Sequence, residues 1–169
     1  MRAKSAVTGS LLSMLAITAP AAAQAPKLIN TFSDWSSYAH DDGKTKICFA
    51  VSRPKSQEPK GVTRRPAYFY ISAWPKDGVK SEVSIRIGYS FKKDSEVTVT
   101  VGGTAFKLFT QADRAYVGDP TQELKLIEAM KKGTNLQVQG TSERGTTTTD
   151  TYSLAGLSQA MQSLAEVCQ

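Results

Sequence analysis

The stretch Val97-Thr98-Val99-Thr100-Val101-Gly102-Gly103-Thr104-Ala105-Phe106-Lys107-Leu108 decides the fold class. Valine alternates with threonine up to the glycine pair, and the alternation resumes beyond it with Phe106 and Leu108. A period of two marks a strand with one face buried. Two adjacent glycines reach positive φ without a side-chain penalty, as a two-residue hairpin turn requires. The register follows: Val101 opposes Thr104, Val99 opposes Phe106 and Val97 opposes Leu108. The apolar residues of both strands then share one face. The pair lacks the lysine and the following helix of a phosphate-binding loop, so a turn is its role.

The same period recurs on both sides of the hairpin. Ile47, Phe49 and Val51 alternate with small or polar residues, and 67–74 is an aromatic-rich strand. Val83, Ile85, Ile87, Tyr89 and Phe91 share a face opposite Ser84, Arg86, Gly88 and Ser90, a pattern suited to an antiparallel sheet with one solvated side. Two more strands are expected at 135–140 and 146–152, turning through Ser142-Glu143-Arg144-Gly145, with four threonines favouring the second by β-branching. Low-complexity disorder is the alternative there.

Two helices interrupt the strands. The first is expected near 120–132, with Asp119 as N-cap, Pro120 at the first position and Gly133 as the stop; Leu124, Ile127 and Met130 recur at spacing three. The second is expected near 154–167, carrying Leu154, Leu157, Met161, Leu164 and Cys168 as one apolar stripe. The pattern predicts a mainly β, sandwich-like single domain over 24–169 with two helices. It shows neither an internal repeat nor a linker.

The first 23 residues read as a secretory signal. Arg2 and Lys4 precede an apolar run through Leu11, Leu12, Met14, Leu15, Ala16 and Ile17, and Ala21-Ala22-Ala23 offers a cleavage site, with Ala23-Gln24-Ala25 as a second. A retained membrane anchor is the alternative, but the run is short and broken by polar residues. Export makes the two cysteines, Cys48 and Cys168, a disulfide expectation. A redox or nucleophilic thiol is the sharper reading, and no Cys-x-x-Cys accompanies it.

The full chain carries +6, and loss of Arg2 and Lys4 would remove two of those charges. Much of the rest falls between Arg53 and Pro66, where Arg53, Lys55, Lys60, Arg64 and Arg65 face only Glu58. Pro54, Pro59, Gly61 and Pro66 punctuate this stretch, which reads as a long surface loop without regular structure. His40 is the only histidine, and in His40-Asp41-Asp42-Gly43 a strand turn is the ordinary role. A metal site or a serine–histidine–aspartate site would need partners the sequence does not announce, and no Gly-x-Ser-x-Gly elbow is present. Neither a cofactor nor a catalytic residue is assigned. Tyr68, Tyr70 and Trp74 share a strand face; core packing is the usual fate of such a face, and a stacking platform for sugar rings is the alternative. Trp35 is expected to cover the sheet.

Phe32-Ser33-Asp34-Trp35, Ile47-Cys48-Phe49-Ala50, the helix end at 126–133, Gly140-Thr141-Ser142-Glu143-Arg144-Gly145 and Asp150-Thr151-Tyr152-Ser153-Leu154-Ala155-Gly156-Leu157 together resemble the invasion-associated locus B family of exported bacterial proteins. The resemblance runs through nearly the whole expected mature chain. It implies a periplasmic or envelope-associated β-sandwich-like domain of Gram-negative bacteria, with no established catalytic activity and a link to host-cell entry in some members. Many members carry a cysteine shortly after the Phe-x-Asp-Trp segment; Tyr38 and Ala39 stand there in this chain, so a second disulfide is not carried over.

The leading expectation is an exported, non-catalytic protein whose basic loop, through Arg53, Lys55, Lys60, Arg64 and Arg65, engages an anionic envelope or host surface such as lipopolysaccharide phosphates or acidic glycans. A purely solvated loop is the plain alternative. Nucleic acid would feel the same charge but is not the expected partner in that compartment. The competing class is a scaffold that binds another envelope protein through a sheet face or an edge strand. An enzyme of unknown class ranks third.

Overall fold

Eleven strands among the described residues, 25–168 of the computed structural model, form one antiparallel sheet. The expected signal segment lies outside the described residues. The strands are β1 (Lys27–Phe32), β2 (Trp35–Asp41), β3 (Lys46–Ser52), β4 (Ser56–Glu58), β5 (Tyr68–Trp74), β6 (Val79–Arg86), β7 (Glu96–Val101), β8 (Thr104–Gln111), β9 (Arg114–Tyr116), β10 (Asn135–Thr141) and β11 (Thr147–Ser153). The helices are α1 (Pro120–Lys132) and α2 (Leu157–Val167).

The order across the sheet is β1-β2-β3-β5-β6-β9-β8-β7-β10-β11-β4. Only residues 53–55 separate β3 from β4, yet β3 lies toward one end of that order and β4 occupies the other. The sheet is therefore curled so that its two halves face each other. Trp35 Nε1 of β2 donates to the Ser153 carbonyl of β11 at 3.0 Å, and the rings of Phe69 and Tyr152 meet edge to face with centroids 5.7 Å apart. Between the halves Val83, Ile85, Val97, Val99, Leu108, Leu136 and Val138 are fully buried.

The hairpin forms in the expected register, Val101 with Thr104, Val99 with Phe106 and Val97 with Leu108. Gly102 and Gly103 both take positive φ, 54° and 84°. The helix α1 begins and ends where its caps predict: the Asp119 carboxylate accepts from Gln122 N at 2.9 Å, and Gly133 N returns to the Ala129 and Met130 carbonyls. Its buried side is Leu126, Ile127 and Met130, while Leu124 is 61% exposed, so the spacing-three series chose the wrong first member. Replacing Asp119 with Ala removes the cap, and urea unfolding is expected to show a loss of about 1 kcal/mol; an unchanged midpoint would contradict this role.

Three other expectations shift. On β3 the small residues Cys48, Ala50 and Ser52 face the core, where α2 packs across β1, β2 and β3, and Ile47, Phe49 and Val51 stand half-buried on the outer face. The basic stretch is not free of regular structure, because Ser56–Glu58 adds to β11 as β4. And α2 starts at Leu157 rather than 154. Gly156 takes φ 91°, and a Cβ there would lie 1.8 Å from the Phe32 carbonyl oxygen, so the chain turns before the helix can start. Cys168 follows α2 and is bonded to Cys48 of β3, 120 residues earlier.

Candidate functional site

The outer face of β2, β3 and β5 carries a row of rings because strand register places every second residue of each strand side by side. Tyr38 pairs with Phe49 across β2 and β3, and Val51 pairs with Tyr70 across β3 and β5. Tyr38 and Phe49 stack at 5.2 Å, Phe49 meets Tyr70 at 6.0 Å, and Tyr70 lies 5.8 Å from Tyr68. Tyr68 and Tyr70 are half-buried on this outer side, whereas Phe69 and Ile71, which alternate with them, are buried. The core-packing expectation for Tyr68 and Tyr70 is thus corrected: Phe69 and Ile71 fill the core in the opposite phase. These rings floor a groove of about 760 Å³, rimmed by Asp34, Arg53 and Lys55.

Two arginines lie against the β5 tyrosines of the row. Arg53 Nη2 donates to the Tyr68 hydroxyl at 2.9 Å, and its guanidinium carbon lies 5.1 Å from the Tyr68 ring centre. Arg114 of β9 lies 5.9 Å from the Tyr70 ring centre on the far side. Arg86 pairs with Tyr68 across β5 and β6 and with Arg114 across β6 and β9. Burial pushes the Tyr70 phenol above its ordinary value, and the charge of Arg114 opposes that shift. Lys55 Nζ holds Asp34 at 2.8 Å, and this hydrogen bond, followed by one from Ser153, keeps the Asp34 carboxyl below the usual range.

The five loop cations do not form one patch. Arg53 and Lys55 enter the groove. Lys60 points to Glu58 at 3.3 Å, and Arg65 reaches Asp113 at 3.5 Å beside Arg86, whose Nε donates to the same carboxylate at 3.1 Å. Arg64 leaves the surface altogether. Its side chain is 7% exposed and in direct contact with Asp150, which is 0% exposed, while its Nη1 donates to the Ile87 carbonyl at 3.1 Å. The Gln57 amide oxygen, turned to face Arg64, accepts from its Nε at 3.3 Å. Burial pushes the Asp150 carboxyl upward, and the adjoining guanidinium pulls it back. Arg64 is therefore a structural cation, because a carboxylate 86 residues away claims it.

His40 sits on the β2 end of a turn, with Nε2 3.8 Å from the Asp42 carboxylate. Asp41 accepts from Gly43 N at 2.9 Å, and Asp42 accepts from Lys44 and Thr45 N at 2.9 and 2.7 Å. Both aspartates thus serve the turn. Among the described residues, no group of three or more His, Cys, Asp and Glu is placed to hold a metal ion.

Arg86 and Arg114 escape a reading of the sequence because each is an isolated arginine on a different strand. Their common signal is phase: Arg86 falls on the polar side of its strand, the side that the tyrosines of β5 share.

No curated protein matches the chain. Among solved structures it is similar to the crystal structure of invasion associated protein B from Bartonella henselae, with a TM-score of 0.58 and 16% identity over 82% of this chain and 96% of that one. At that identity the likeness is one of fold. A family model described as invasion associated locus B (IalB) protein matches residues 35–165. That match runs from Trp35 in β2 to Ala165 in α2, through both halves of the sheet and both helices, and the chain belongs to the invasion associated locus B family.

Proposed function

We propose that this protein is an exported, non-catalytic binding protein of the cell envelope, and that it engages an anionic envelope or host-surface ligand through the groove rimmed by Arg53 and Lys55. The observation that carries this reading is the cationic rim over a tyrosine floor: Arg53 lies against Tyr68 and no carboxylate lies within ion-pair distance of it among the described residues. A guanidinium without a carboxylate partner, beside an open cavity, is available to a ligand's carboxylate or phosphate. The disulfide supports placement in an oxidising compartment, and no helix among the described residues is long and apolar enough to cross a membrane.

Charge reversal tests the rim. The Arg53→Glu/Lys55→Glu variant is expected to lose about tenfold or more of the wild type's retention on lipopolysaccharide-bearing vesicles at low salt. Wild-type retention is expected to fall as salt rises, because the rim is solvent-exposed. Retention equal to wild type, insensitive to salt, would remove the groove from this role. Crosslinking in intact cells that yields a single protein partner, held at high salt, would favour the scaffold reading instead.

A further inference from the structure

The ring row and the two arginines beside its β5 rings narrow the ligand class. Tyr38, Phe49, Tyr70 and Tyr68 follow one another in steps of 5.2, 6.0 and 5.8 Å, spacings comparable with one pyranose residue of an extended saccharide. The outward surfaces of such rings offer apolar contact to the C–H faces of sugars, and the phenol oxygens of Tyr38, Tyr70 and Tyr68 can bond to sugar hydroxyls. Arg53 stands beside Tyr68, and Arg114 stands beside Tyr70. Neither lies within ion-pair distance of a carboxylate among the described residues, whereas Arg65 and Arg86 share Asp113. Two available guanidinium forks beside adjacent rings, Tyr68 and Tyr70, suit a chain that repeats both ring and carboxylate.

The rim sets a further condition. Asp34 projects into the same groove and is an acceptor only, held by Lys55. A saccharide hydroxyl can donate to that carboxylate. A nucleic acid strand would satisfy the aromatic and cationic features as well, and tighter binding of such a strand is an outcome of the test below.

Resting on the anionic-ligand reading above, we propose that the groove binds an acidic saccharide. Its sugar rings lie along Tyr38, Phe49, Tyr70 and Tyr68, and its carboxylates engage Arg53 and Arg114. The shared chemistry is a carboxylated pyranose, which an envelope polysaccharide or a host glycan could supply.

Calorimetric titration of the full chain with tetragalacturonate, its methyl ester, 3′-sialyllactose, inorganic polyphosphate and oligothymidylate tests this. Tetragalacturonate or sialyllactose should bind, the tighter of the two indicating the source, and esterification should abolish the interaction. Arg114→Gln and Tyr70→Leu should each weaken the acidic sugar about tenfold or more, while Tyr70→Phe, which keeps the ring, stays within about threefold. Lys131→Glu on the distant helix α1 serves as the unaffected control, and circular dichroism confirms that each variant is folded. If Tyr70→Leu is not folded, Arg114→Gln carries the test. Equal binding of the methyl ester would overturn the role of the carboxylates and with it the anionic reading, whereas tighter binding of polyphosphate or oligothymidylate that still requires Arg53 would overturn the saccharide class and leave the anionic reading standing. Binding that survives Arg114→Gln unchanged would overturn the proposed placement. Absence of binding to every anion would overturn both.

Discussion

Replacing Asp150 with Ala is expected to lower the free energy of unfolding by roughly 3–5 kcal/mol, because it leaves the buried Arg64 guanidinium without its counter-charge. Arg64 cannot escape to water without dismantling its bond to the Ile87 carbonyl and its contact with Gln57 of β4, which pairs with β11. Urea unfolding followed by tryptophan fluorescence provides the measurement, since Trp35 is fully buried against β11. The pairwise origin of the loss is separable. In an Arg64→Met/Asp150→Leu double variant both charges vanish, and most of the stability should return. Losses in the two single variants that simply add in the double would show that neither residue acts through the other.

Breaking the Cys48–Cys168 bond carries the second large effect. Its 120-residue separation gives about 4–5 kcal/mol on the loop-entropy model. The Cys48→Ala/Cys168→Ala variant should therefore unfold at a much lower denaturant concentration, and the wild type should do the same under reducing conditions. The local consequence should be uneven: α2 packs over β1, β2 and β3, so hydrogen exchange should rise first in α2 and β1, while the β7–β8 hairpin keeps its protection. Uniform loss of protection throughout the sheet would contradict that account.

The elements that can be read from sequence are those whose determinants are local. The β7–β8 register is written in alternating valines closed by two glycines, and α1 in Asp119, Pro120 and Gly133. The resemblance in 32–35, 47–50 and 140–157 points to the family because it depends on order along the chain. What escapes depends on contacts between distant segments. Phe49 looks like a core residue in its strand, but α2 lies across the small residues Cys48 and Ala50 and leaves the aromatic on the other side. The same reasoning puts Tyr68 and Tyr70 in the core, whereas Phe69 and Ile71 hold it. Arg64 and Arg65 are neighbours of identical type; Asp150 buries one, and the other remains on the surface. A count of charges registers both alike. Arg114 acquires meaning only when β9 aligns with β6, which sets it beside Tyr70.

The short connection 53–55 between β3 and β4 joins the two halves of the curled sheet, and two of its three residues, Arg53 and Lys55, stand on the rim of the groove. Lys55 N also donates to the Thr151 carbonyl of β11 at 2.7 Å, so the connection is stitched to the far half of the sheet. A molecule that fastens Arg53 and Lys55 to the tyrosine floor would at the same time reinforce the closure of the whole domain. Occupancy would then register as resistance to heat, growing with ligand concentration above the dissociation constant. A thermal-shift screen of saccharides against the intact protein would thus report on the groove directly, with no label attached and with the sugar still unidentified.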